Sequence, residues 1–391
     1  MTRAAGIAGG FVVAFVVAAP VGGVGWPGSA EAQQITEFTT GKNTAPFAIT
    51  AGPDGALWFA DASYLSGWIG RITTAGAITK FPVPTSSALT GITVGPDGAL
   101  WFTEYQGNKI GRITTTGQVT EYAIPTSNSV PIGIAKGPDG DLWFTEFIAD
   151  KIGRVIPDGT GTITEFPLGY GSRPRDITAG PDGALWFTES GSNGNKIGRI
   201  TTDGTITEFP VPTGNPYNIT VGPDGALWFT EQTGNKIGRI DATTKQITEY
   251  DIPTSNSSPE GIAAGPDGAL WFTEQTGNKI GRITTTGQVT EFAIGKGGGG
   301  KKNTNNQPQP TGITQGPDGS LWFAEWGDSK IGRLVPPPLG PGVAGQTNCV
   351  DQNIAFIAQQ DGGGSIDAAA AALGFASVAD LQAAVTSFCT N

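Results

Sequence analysis

The chain has no histidine among its 391 residues. That excludes a Ser-His-Asp triad, a Cys-His dyad and any His-ligated zinc site. Methionine occurs once and cysteine twice. Charged residues make up 15%, against about 25% in ordinary soluble chains. No basic block is present and the formal net charge is −11. A nucleic-acid partner is therefore not expected, because neutralising phosphates dominates that affinity. Helical periodicity is missing until the C-terminal end, which excludes a coiled coil, a helix bundle and a long helical solenoid. What is abundant is Gly (61), Pro (28), Phe (19) and Trp (10). The glycines lack the every-third-residue period of collagen, and the aromatics supply ample surface to bury, so disorder is excluded too.

Both ends depart from the rest. Residues 1–32 read as an export signal: Arg3, then the apolar run Ala4–Ala19, then Ala30-Glu31-Ala32 as a small-x-small cleavage pattern. The run of 16 residues is short of the ~20 that span a bilayer. A secreted or periplasmic protein with no membrane span after cleavage is the expectation. Residues 339–391 read as a linker and a small helical tail, whose last helix is capped by Ser377 with Asp380 three residues later. Cys349 and Cys389 both lie in that tail, and two cysteines in an exported chain read as one disulfide. Such a bond would contribute roughly 4 kcal/mol by the chain-entropy estimate.

Between the ends one unit recurs. Its turn, Gly-Pro-Asp-Gly, starts at Gly52, Gly95, Gly137, Gly180, Gly222, Gly265 and Gly316, with spacings of 43, 42, 43, 42, 43 and 51. Each unit reads G-I-T-x-G-P-D-G-A-L-W-F-T-E, then K-I-G-R-I, then I-T-E-F-P, which gives four short alternating segments per ~42 residues, the period of a β-propeller blade. Six units carry their own fourth segment, from Ile78–Phe81 to Val289–Phe292. The seventh runs instead into Pro336-Pro337-Pro338, and the missing Ile-Thr-Glu-Phe stands at Ile35–Phe38. Adding that strand to the last blade closes the ring and removes an open edge. The predicted fold is all-β: a seven-bladed β-propeller over residues 33–338, closed by an N-terminal strand, with a small C-terminal helical extension. The repeated Trp58, Trp101, Trp143, Trp186, Trp228, Trp271 and Trp322 are read as packing between blades, and the repeated arginines, Arg71 to Arg333, as structural ion-pair partners.

Function in a propeller belongs to positions that break the repeat on one face. Two classes are expected to meet at the channel mouth. The first is one carboxylate per blade: Asp61, Glu104, Glu146, Glu189, Glu231, Glu274 and Glu325. The second precedes each turn by five residues and changes from blade to blade: Phe47, Thr90, Ile132, Arg175, Tyr217, Glu260 and Thr311. Seven like charges around one mouth require pairing with Arg or Lys, raised pKa values or a divalent cation. The insertion Gly295–Asn306, with Lys296, Lys301 and Lys302, is expected to overhang the same mouth, either as a lid or as a plain spacer.

The blade motif, seven times over about 300 residues, resembles the streptogramin B lyase (virginiamycin B lyase) family. The resemblance implies elimination rather than hydrolysis: magnesium polarises the ester of a cyclic depsipeptide and a His base removes the proton α to the carbonyl. The family's sixth-blade Glu-x-His corresponds here to Ser258-Pro259-Glu260. Glu274 matches the Glu that completes the metal site, whereas Ser258 replaces a metal-binding Glu and Glu260 replaces the base. A further family His falls on Tyr217 and a Tyr on Phe47. The resemblance thus implies Glu260 and Tyr217 as candidate catalytic groups. It also makes Phe47, Tyr217 and Ser258 candidate ligand contacts, joined by Arg175 from the varying class, with Glu274 and Glu260 as candidate magnesium ligands.

Three functions follow as alternatives. The first is an exported monomer that binds a small or peptide-like ligand at the mouth without His-dependent turnover. The second is an active magnesium-dependent lyase with a carboxylate base. The third is an envelope interaction module that docks through its tail.

Overall fold

A computed structural model describes residues 35–63, 67–85, 87–295 and 307–336. The residues read as an export signal, most of the 295–306 insertion, the tail read as helical and both cysteines lie outside the described residues.

Every repeat folds as a four-stranded antiparallel meander. The first six blades span residues 46–82, 89–123, 131–167, 174–210, 216–251 and 259–293. The seventh takes Pro310–Gln315, Leu321–Glu325 and Lys330–Leu334 from the end of the described chain and Ile35–Thr39 from its start. Ile35 pairs with Leu334 and Thr39 with Lys330 in antiparallel register. The first strand of each blade abuts that of the next, and that of blade seven abuts that of blade one. The ring is closed, as the repeat count and the displaced Ile-Thr-Glu-Phe predict.

The repeat residues explain the blade. In each Gly-Pro-Asp-Gly turn the last glycine takes positive φ, +73° at Gly55, a conformation that disfavours side chains. The first glycine is compulsory for another reason: a Cβ on Gly52 would lie 2.3 Å from the Trp58 ring. The turn Asp then accepts from the indole N–H four residues on, as in Trp58 Nε1 to Asp54 Oδ1 at 2.9 Å. Its other oxygen takes the repeated arginine: Arg71–Asp54 is 2.6 Å and Arg239–Asp224 is 2.8 Å. Six of the seven repeated arginines are structural in this way, and Arg154 pairs instead with Asp141, just after its turn, at 2.6 Å, with the turn Asp139 at 3.7 Å.

All seven tryptophans are fully buried. Each stacks on the aromatic of its own fourth strand, for example Trp228 on Tyr250 with centroids 5.6 Å apart, and Trp322 on Phe38 across the closing seam. Their outer faces meet the next blade, so Trp58 shares a cluster with Leu100 and Phe102. The core is therefore seven inter-blade seams arranged around an axis rather than one central mass.

Candidate functional site

Every first strand carries a β-bulge. Between Pro216 and Ile219, for instance, the strand advances by three residues while its partner advances by two. A bulge adds a residue and re-aims its neighbours. Here it turns the residue after the strand's opening position toward the axis, which is the variable class picked out by sequence. A cavity of about 160 Å³ on the axis is lined by Phe47, Thr90, Ile132, Arg175, Tyr217 and Glu260. Thr311, the seventh member, is a correction. It is buried and does not line the cavity; its hydroxyl donates to the Phe47 carbonyl at 2.8 Å, while Gly312 and Ile313 form the wall.

The ring order divides this cavity chemically. Blades one to three present Phe47, Thr90 and Ile132; blades four to six present Arg175, Tyr217 and Glu260. The Arg175 guanidinium carbon lies 3.9 Å from the Tyr217 ring centroid and 5.2 Å from that of Phe147. Its Nε donates to Ser190 Oγ at 3.2 Å. Glu260 is buried, and neither of its oxygens has a partner within hydrogen-bond geometry. Burial raises its carboxyl to about 7, against the opposing pull of the Tyr217 hydroxyl and the Arg175 charge. Burial and the Glu260 charge together push the Tyr217 hydroxyl above its ordinary value.

Sequence reasoning missed Asp176, which also lines the cavity. It accepts from Asn218 Nδ2 at 3.1 Å and Ile219 N–H at 3.0 Å. Burial lifts it to about 6 despite those bonds. The signal was available: the corresponding residues elsewhere are Ala48, Gly91, Gly133, Asn218, Gly261 and Gly312, so blade four alone carries an acid.

A repeated threonine, also missed, fixes these positions. In blade five, Thr230 Oγ1 accepts from the Asn218 N–H at 3.1 Å and donates to the Glu260 carbonyl of the next blade at 2.7 Å. Thr145 and Thr188 do the same for the Arg175 and Tyr217 carbonyls. Ala60 and Ala324 replace the threonine in blades one and seven. Replacing Thr230 by Val should cost about 1–3 kcal/mol by orphaning the Asn218 N–H, read as a lower urea midpoint with an unchanged m-value. The change should also loosen Glu260.

The per-blade carboxylates do not share the mouth, contrary to the sequence expectation, and do not line the cavity. They point into the seam with the preceding blade, beside the turn after their strand: a Cβ on Gly107 would lie 2.5 Å from Glu104 Oε2. Nor do the repeated arginines pair with them. Among the described residues, Glu104, Glu146, Glu189, Glu274 and Glu325 have neither oxygen hydrogen-bonded, and Glu231 has one that is not. Burial, then repulsion from the fourth-strand Glu121, raises Glu104 to about 8. Lys109 is engaged with Glu121 at 2.6 Å instead.

Glu274 follows this pattern beneath Gly277, raised to about 8 by burial and then Glu291. Glu274 stands opposite Pro259, the residue before Glu260, in the strand register, but of the two carboxylates only Glu260 lines the cavity. Ser258 sits at the entry to its strand with φ +50°, its carbonyl accepting from the Gln275 N–H, and does not line the cavity. The structure thus brings together Phe47, Arg175, Tyr217 and Glu260 but leaves out Ser258 and Glu274.

The virginiamycin B lyase family profile matches residues 28–193 and 160–337. The chain belongs to the virginiamycin B lyase family. A solved streptogramin B lyase structure is 43% identical, with a TM-score of 0.70, covering 77% of this chain and 97% of that one. A catalytically inactive His-to-Ala variant of the Staphylococcus aureus virginiamycin B lyase, solved with quinupristin, is 42% identical at the same TM-score, covering 78% and 99%. A hydrazine synthase of Kuenenia stuttgartiensis shares the fold alone, at 14% identity and a TM-score of 0.63 over 80% and 99% of the two chains. A search of curated proteins finds no match. Within the family, the half-polar cavity is the feature by which this chain's chemistry is to be judged.

Proposed function

We propose that this virginiamycin B lyase-like propeller is exported and binds a small or peptide-like ligand at its channel mouth without His-dependent turnover. The observation that carries the reading is the cavity itself. Its apolar half at Phe47 and Ile132 suits a hydrophobic side chain or aromatic group, and Arg175 with Tyr217 suits a carbonyl or carboxylate. The chain has no histidine to act as base, and its Glu274 lies away from the cavity. Export rests on the apolar run Ala4–Ala19 and on Ala30-Glu31-Ala32. Among the described residues no helix is long and apolar enough to cross a membrane.

One observation favours a second reading. Glu260 is a cavity-facing carboxyl poised at about 7, where general-base catalysis is most effective. In an elimination Glu260 would take the proton from the carbon next to the one that bears the ester's alkyl oxygen, a proton α to that residue's own carbonyl. The resulting electron pair would form the new C=C bond, and the ester C–O bond would break to release a carboxylate. Tyr217 and Arg175 would orient the substrate carbonyl.

Purified protein with quinupristin, with and without magnesium, separates the two by calorimetry and mass spectrometry. The expected result is saturable binding that weakens at least about tenfold in Arg175→Ala, the loss of one charged hydrogen bond, and no linear product. A linear product that disappears in Glu260→Gln would establish the second reading and overturn the first.

A further inference from the structure

Outside the mouth, blade seven differs from its siblings at the closing seam. Its second strand ends in Glu325, and the turn that follows carries Asp328 where the corresponding residues of blades two, five and six are Gly107, Gly234 and Gly277. In those blades the turn glycine lies over the buried Glu, and here an acid occupies that place. The fourth strand supplies Glu37 from the opposite end of the chain. Carboxylate oxygens of Glu37, Glu325 and Asp328 all lie within 4.8 Å of one another.

The second observation concerns burial. Glu325 is wholly buried with both oxygens unpartnered, and Asp328 Oδ1 is buried and unpartnered as well. The Asp328 side chain is 8% exposed. Among the described residues Lys330 is the one cation in contact, at 3.3 Å from Glu37 and 3.2 Å from Asp328. With Glu325 protonated in the unliganded seam, Glu37 and Asp328 against Lys330 leave one uncompensated negative charge; a dication would displace the Glu325 proton, and Glu37, on the exposed rim, gives access from solvent.

We propose that Glu37, Glu325 and Asp328 form a divalent-cation site, best suited to calcium, that ties the N-terminal strand to the last blade. A 4.8 Å spread between donors is what a cation bound at roughly 2.4 Å allows across its diameter. Magnesium, at about 2.1 Å with rigid octahedral demands, suits it less well, and carboxylate oxygens are ligands for hard cations. Neutralisation supplies the driving force, since two orphaned acids in a seam are costly without a counter-charge. Because Glu37 and Glu325 are 288 positions apart in sequence, a shared ion would act on ring closure itself. The site is distinct from the mouth, so its test is independent of the proposed function.

The full chain, stripped with a chelator and dialysed, is titrated with calcium and separately with magnesium by calorimetry, then melted at each concentration. The expected result is one calcium per chain and a Tm rise of roughly 4–8 °C at a hundredfold excess over Kd, with a smaller magnesium effect. Asp328→Gly, which restores the residue of blades two, five and six, and Glu37→Gln, which leaves the seam packing intact, should each remove the calcium response. Arg175→Ala should retain it. Absence of heat and of a Tm shift, or a calcium response that survives both carboxylate variants, would overturn the proposal.

Discussion

Stability should fall as pH rises from about 5 to about 8, the reverse of ordinary acid denaturation. Glu104, Glu146, Glu231 and Glu274 are raised to about 8, Glu189 to about 7 and Glu325 to about 9, in each case first by burial. Unfolded, they ionise near their ordinary 4.5. Between those values the folded chain holds protons that the unfolded chain has released, so unfolding gains as pH rises. The contribution is complete below about 4.5 and lost as pH passes through the folded values. One such group gives a slope of about 1.4 kcal/mol per pH unit. The six together should lower the unfolding free energy by at least about 3 kcal/mol between pH 5.5 and pH 8.

Acid limits the other side. Burial pushes Asp54 up, but the Trp58 and Arg71 partners outweigh it and hold the carboxyl below its ordinary value. That contribution is present above about 3.8 and lost as pH falls further, placing the optimum near pH 4–5. Urea unfolding followed by tryptophan fluorescence across this range decides the matter. A flat or rising profile refutes the expectation, and Glu146→Gln should flatten the slope by one proton's worth.

Trp228→Ala should cost about 3–5 kcal/mol. The ring is fully buried, stacks on Tyr250, and donates to Asp224 at 2.9 Å. Its loss leaves a cavity between blades five and six and deprives the turn Asp of a donor, while Arg239 remains. In an open solenoid such damage would stay local, because each unit answers only to its neighbours. In a closed ring no end is free to fray, so the whole molecule should unfold in one transition at lower denaturant. Two separated transitions, or a loss under about 1 kcal/mol, would contradict that picture. Trp228→Phe, which keeps the stack and drops the N–H, should lose considerably less.

The architecture was legible in the sequence because each blade solves the same local problem with the same residues. Gly52, Pro53, Asp54 and Gly55 declare a turn, and Trp58 requires the glycine before it. The Ile-Thr-Glu-Phe segment displaced to Ile35 announces closure. The radial position of the variable class was legible too, since only residues free of the repeat's packing can vary: Phe47, Arg175, Tyr217 and Glu260 all reach the cavity.

What could not be read was the direction of the carboxylate after Trp-Phe-Thr. Strand alternation puts Glu104 on the face of Leu100 and Phe102, inside the seam, and an acid there runs against the expectation that charge seeks water. Asp176 was overlooked because it sits beside a residue that already varied, and the threonines because a hydroxyl present in five blades reads as β-propensity rather than as a tether.

Those tethers also bear on how such a mouth can diversify. Thr145, Thr188 and Thr230 grip only main-chain groups, so what projects from Arg175, Tyr217 and Glu260 is exchangeable without disturbing the scaffold. Recognition becomes combinatorial: an alphabet of side chains displayed on an indifferent frame, in which new specificities arise by single substitutions and inherited ones vanish as readily.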